Sequence, residues 1–130
     1  MTTAYCFGRV VNLSFDNAIT RVTEELQKQG FGVLTEIDVA ATLKKKLNVD
    51  FPSYRILGAC NPPFAHRALM AEPEIGALLP CNVVVREDGT GQVRVEFMDP
   101  LAVMRLVDRP EVAELAGEVR GRLEMVMAAL

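Results

Sequence analysis

Two cysteines and an asparagine stand where this sequence changes from one kind of structure to another. In Arg55-Ile56-Leu57-Gly58-Ala59-Cys60-Asn61-Pro62-Pro63-Phe64-Ala65-His66 an apolar run gives way to paired prolines and then to a helical pattern. The same stretch holds the only histidine, and Cys81-Asn82 follows Pro80 at the head of a second apolar run, Val83-Val84-Val85. If the two runs are neighbouring strands, the Cys60 and Cys81 thiols meet beside the first turn of the helix that the prolines open. A helix N-terminus favours the thiolate, which is both the nucleophile and the metal-ligating form. His66, in the first turn of that helix, would complete a soft site for a Zn or Cu ion. Cys60, Asn61 and Cys81 are therefore the candidate ligand-binding residues, and Cys60, Cys81 and His66 the candidate metal set.

Each of these residues also has a packing explanation. Free cysteine is among the most buried residue types and packs as a small hydrophobe, which applies equally to Cys6. The interval between Cys60 and Cys81 matches no standard ligand spacing. Asn61 can cap the helix by accepting a first-turn amide, or it can face a small anion held at the helix N-terminus. Glu36 and Asp38 alternate on one strand, as an acid–base pair could; equally, Asp38 caps the following helix while Glu36 meets water or an arginine. One histidine without a nucleophile elbow gives no hydrolase triad, and Gly89 and Gly91 belong to a turn rather than a phosphate loop. With no recognisable catalytic motif, the reading leans away from an enzyme.

The elements that must position these residues follow from periodicity. Tyr5 to Leu13 is rich in aromatic and β-branched residues and reads as a strand. Ser14 is placed as an N-cap for a helix whose apolar side is Phe15, Ile19, Val22 and Leu26, and Gly30 supplies its stop. Gly32 to Ile37 is a strand, Asp38 caps a short helix over Val39–Leu47, and Tyr54 to Cys60 is a strand apolar enough to be central. Pro62 and Pro63 end that strand and suit the first turn of a short helix that stops before Pro73. Glu74 to Leu79 is a connection. Asn82–Glu87 and Gln92–Met98 form a hairpin about Asp88-Gly89-Thr90-Gly91, with Val93, Val95 and Phe97 alternating with Arg94 and Glu96. A short helical piece covers Leu101–Leu106. Pro110 opens the longest helix, with a stripe of Val112, Leu115, Val119, Leu123, Val126 and Leu130, and Glu118–Arg122 spaced as an exposed ion pair.

Strands and helices do not alternate strictly, so the pattern predicts an α+β domain built on an antiparallel sheet. Its 130 residues form one domain, 1–130, with half the chain apolar and 24% charged. A net charge of −3 argues against nucleic acid as a partner. Lys44-Lys45-Lys46 is the only basic run and reads as a solvated helix face. The N-terminus lacks the pattern of a signal peptide, and no apolar run reaches the roughly 18 residues of a membrane span. Three cysteines in no disulfide pattern suit a reducing compartment, so the expectation is a cytoplasmic protein without a membrane partner.

Three segments taken together resemble the family known as domain of unknown function 302. They are Gly30-Phe31-Gly32-Val33-Leu34-Thr35-Glu36-Ile37-Asp38-Val39 with Leu43-Lys44; Gly58-Ala59-Cys60-Asn61-Pro62 with Ala65 and Ala68-Leu69; and Leu79-Pro80-Cys81-Asn82-Val83-Val84-Val85 with Asp99-Pro100. The resemblance spans about residues 5 to 105. It implies a TATA-binding-protein-like topology, β-α-β4-α: a curved antiparallel sheet of about five strands with two long helices on one face and short helices inserted. It carries no activity over, and topology alone does not carry DNA binding.

Two functions follow as expectations. The first is a cytoplasmic protein that binds a small ligand or soft metal ion, or uses a thiol pair, at Cys60, Asn61 and Cys81. The second is a non-enzymatic homodimeric module with inert cysteines, two-fold dimers being the commonest assembly.

Overall fold

The structure is a computed structural model that describes residues 3–130. Met1 and Thr2, the head of the stretch read above for a signal segment, lie outside the described residues. Strands β1 (Cys6–Val11), β2 (Gly32–Asp38), β3 (Tyr54–Cys60), β4 (Cys81–Glu87) and β5 (Val93–Met98) form one open sheet in the order β1-β5-β4-β3-β2. Every neighbouring pair is antiparallel. The helices are α1 (Phe15–Lys28), α2 (Val39–Leu47), α3 (Pro62–Ala71), α4 (Pro100–Val103) and α5 (Pro110–Ala128). With the short helices set aside, the order is the β-α-β4-α that the family resemblance implies.

The local signals account for the ends of these elements. Ser14 Oγ accepts from the Asn17 amide at 3.2 Å, and Asp38 Oδ1 accepts from the Ala41 amide at 2.9 Å, capping α1 and α2. Past the end of α1, Gly30 takes φ +86°, which a side chain resists and glycine does not. Glu36 meets an arginine as expected: Arg55 Nη1 lies 2.5 Å from Glu36 Oε1. In the β4–β5 turn the Asp88 carboxyl is held down to about 2, first by the Thr90 hydroxyl at 2.5 Å and then by the Thr90 amide, with Arg94 adding to the effect.

Three local expectations change. The connection over Glu74–Leu79 is a 3-10 turn, Pro73–Leu78, and the piece over Leu101–Leu106 divides into α4 and a second 3-10 turn, Met104–Leu106. The ion pair expected between Glu118 and Arg122 does not form. Arg122 instead donates to the Gln29 carbonyl at 3.0 Å, with its guanidinium 5.1 Å from the centre of the Phe64 ring. The four-apart pair on α5 is Arg120–Glu124, at 3.0 Å. An uncapped carbonyl at the end of α1 is a better partner for a guanidinium than one exposed carboxylate among solvent.

The core has two parts. In the larger, Val22 and Leu26 of α1 and Val119, Leu123 and Val126 of α5 pack with the inner face of the sheet, including Leu57, Val83, Val95 and Phe97. In the smaller, the first half of α5 (Val112, Leu115, Ala116) meets Ala68 of α3, Ile75 and Met104. The last two turns of α5 thus lie on the sheet, and its first turns run past it onto α3.

Gly58, in the middle of β3, has no room for a side chain between Thr35 of the neighbouring β2 and Pro80, which immediately precedes the neighbouring β4. A Cβ there would lie 2.3 Å from Thr35 Oγ1 and 2.9 Å from Pro80 Cγ. Gly58→Ala is therefore expected to lower stability by about 1–3 kcal/mol, the cost of overpacking. Chemical denaturation of the single variant and of Gly58→Ala with Thr35→Ala checks this: the second change should restore part of the loss, since it removes the nearest clash.

Candidate functional site

The β3–β4 register pairs Ala59 with Cys81 directly, so Cys60 is one residue beyond that pair at the end of β3. Pro62 and Pro63 occupy the first two positions of α3 and Asn61 its N-cap position. The neighbouring-strand premise therefore holds, and the two cysteines come to one corner of the fold. Both line a cavity of about 370 Å³ together with Asn61. Its walls are otherwise mainly apolar, with Ala65 from α3, Ile75 from the 3-10 turn, Leu79, and Leu115 and Ala116 from α5. The cavity sits in the seam between the two parts of the core, where the sheet ends and the overhanging half of α5 begins.

Asn61 is 7% exposed, and its side chain does not cap α3. The prolines narrow the choice: an N-cap side chain accepts from the second or third amide of the helix, and the second here is Pro63, which has none. Asn61 turns instead to the end of α1, where its Nδ2 donates to the Gln29 carbonyl at 3.3 Å. Arg122 Nη1 donates to the same oxygen. One backbone carbonyl thus ties α1, the β3–α3 junction and α5 together.

The electrostatics of the corner do not suit an activated thiol at Cys81. Burial pushes its thiol up to about 11, with the nearby Cys60 adding to the effect, so it stays protonated at neutral pH. Nor do they suit the small anion considered above. Pro62 and Pro63 remove two of the amides that would hold it, and no lysine, arginine or histidine lines the cavity. The set of Cys60, Cys81 and His66 is not assembled: His66 is exposed and is not part of the cavity wall. Among the described residues no three His, Cys, Asp or Glu side chains gather as a metal-holding group. A position on the outer side of a helix explains this, since α3 turns Phe64, Ala65 and Ala68 inward and leaves His66 and Arg67 to solvent. Cys6 lies apart from the cavity, with its sulfur 3.2 Å from Thr3 Oγ1.

A family model described as Domain of unknown function DUF302 matches residues 7–130. The chain belongs to the DUF302 family. A crystal structure of an uncharacterised conserved DUF302 protein from Bacillus stearothermophilus is similar to it at 28% identity and a TM-score of 0.90, over 98% of each chain. No curated protein matches the sequence. The five-stranded open antiparallel sheet with helices is thus the DUF302 architecture, and the family name assigns no chemistry to it. Among the described residues no helix is long and apolar enough to cross a membrane.

Sequence reading found one wall of the cavity, at Cys60, Asn61 and Cys81. It missed Thr35, Ile75, Leu115 and Ala116, which reach it from other elements. The available signal was size: Ala65 and Ala68 in α3 and Ala116 in α5 are small residues on inward faces.

The raised Cys81 pKa makes a pH prediction with a definite sign. The folded state resists ionisation, so the contribution of this group is full below its ordinary value of 9.0. It is lost as pH rises towards about 11, because the unfolded chain ionises first. Unfolding free energy should therefore fall between pH 9 and 11 in the native chain, and fall less in Cys81→Ala. Equal slopes for the two proteins would contradict the assignment.

Proposed function

We propose that this DUF302 protein is a binding protein for a small, mainly apolar molecule, held in the cavity between the end of the sheet, α3 and α5. The observation that carries the reading is the cavity itself: about 370 Å³ of space lined mainly by aliphatic and aromatic side chains, with Cys60, Asn61 and Cys81 at one end. A cavity of roughly 150 Å³ is enough for a benzene-sized guest. Pockets that bind small molecules combine an apolar wall with a few placed polar groups, as this one does. In this reading Cys60, Asn61 and Cys81 form the polar end of a binding site, and the cysteines act as wall and not as nucleophiles.

Filling the space tests it. Ala116→Leu and Ala65→Leu each add side-chain volume to the cavity wall, one from α5 and one from α3. With naphthalene as the probe, the native chain should show a rise in its thermal midpoint that grows with probe concentration. Both filled variants should keep a cooperative transition and lose most of that rise. An unchanged midpoint in the native chain, or an equal rise in both filled variants, contradicts binding at this place.

A second reading, self-association, draws on a different observation. β2 is an edge strand, its outer backbone groups unpaired with any strand, and Leu34 and Ile37 beside that edge are 66% and 49% exposed. No lysine or proline lies within it to discourage pairing. An antiparallel edge is complementary to its own copy about a two-fold axis, so a second copy of this chain is the partner proposed. Sedimentation should then give a dimer that Ile37→Lys converts to monomer; a native monomer at high micromolar concentration removes this reading.

A further inference from the structure

The polar end of the cavity has an unused acceptor. Gln29 O can only accept, so its bond with Asn61 fixes which end of the Asn61 amide is nitrogen. That leaves Oδ1 facing elsewhere, and among the described residues no group donates to it. Nor is it sealed away: the side-chain polar atom that is both sealed and unpartnered among those residues is Arg55 Nε. Asn61 is more than nine-tenths buried and is one of the residues that line the cavity. Its orientation is held from behind, since Arg122 braces the same Gln29 carbonyl. An acceptor already held in place exchanges only water when a ligand hydroxyl or amide N–H bonds to it, at little cost in ordering.

The rest of the lining sets the charge of that ligand. None of its residues is Lys, Arg, His, Asp or Glu. The guanidinium of Arg122, over the Phe64 ring of the wall, is engaged with the Gln29 carbonyl and is not itself part of the wall. An ionised ligand would lose its hydration and find no counter-charge.

We infer that the cavity selects uncharged ligands bearing a hydrogen-bond donor, and that Asn61 Oδ1 is the group that reads the donor. The inference rests on the cavity-binding reading and adds the ligand class to it. The role it gives Asn61 is one of specificity, beyond tying α3 to α1.

Three probes of matched shape separate the possibilities by calorimetry on the full chain: 2-naphthol, 2-methoxynaphthalene and the 2-naphthoate anion. Apolar burial alone favours the methyl ether by roughly fourfold, because it carries one more carbon. Donor recognition reverses the order, with 2-naphthol expected about tenfold tighter than the ether and the anion weakest. In Asn61→Ala the preference for 2-naphthol over its ether should disappear while the ether still binds. If that variant does not fold, the Asn61 side-chain amide resonances of the native chain provide the readout, and 2-naphthol should shift them more than the ether does. Equal or tighter binding of the ether, or a preference that survives in Asn61→Ala, overturns donor selection and leaves the binding site standing. Naphthoate binding as tightly as 2-naphthol overturns the charge rule. Failure of all three to bind overturns this inference and the cavity reading together.

Discussion

The long C-terminal helix is longer than the sheet beneath it. At 19 residues α5 extends about 28 Å, whereas a strand of six or seven residues covers roughly 20–24 Å. Its apolar stripe continues through the overhang, so Val112, Leu115 and Ala116 need cover that the sheet cannot give. The chain meets this need by ending β3 at Cys60, turning through two prolines and laying α3 and the following 3-10 turn under the free half of the helix. The cavity is what remains at the join, where strand ends, two helices and a 3-10 turn with different spacings cannot all fit together. Its contents are therefore a consequence of the fold's main length mismatch rather than of any catalytic arrangement.

The Gln29 carbonyl holds this join at one point. The last carbonyls of a helix have no partner within it, and a helix end in a packed region must find them elsewhere. Here Asn61 and Arg122, from β3–α3 and α5, both turn towards the same oxygen, and Gly30 leaves room for them. A Cβ at Gly30 would lie 3.1 Å from Asn61 Nδ2, so the positive φ and the close approach call for glycine together. The side chain that the sequence offered either as a local cap or as a ligand group is spent, at its nitrogen, on a tertiary contact. That contact in turn aims its other end, which is how a structural residue comes to have a free, oriented acceptor.

Much of the fold was legible in the sequence because its signals are local. Ser14 and Asp38 cap as their types suggest, Pro62 and Pro110 open helices, and Asp88-Gly89-Thr90-Gly91 makes the hairpin. The alternation of Val93, Val95 and Phe97 gave the inner face of β5 correctly. What could not be read was decided by long-range competition. Arg122 had a well-spaced partner in Glu118 and left it for a carbonyl 93 residues away. Pro63 left Asn61 one capping amide instead of two, and the side chain turned to the Gln29 carbonyl from another element. The site was half visible: the thiols and Asn61 announced themselves by type, whereas Ile75, Leu115 and Ala116 look like any core positions. His66 drew attention by being the only histidine, and its place on the solvent side of α3 gives it no part in the wall.

The central claim is that the seam between the sheet and the overhang of α5 holds an open, apolar space that a guest can enter. A crystal of the full chain under xenon pressure tests this most directly, because xenon enters apolar cavities without needing a specific contact. The account predicts xenon density in contact with Ala65, Ile75 and Leu115. Side chains closed over that volume with no xenon between them would contradict it.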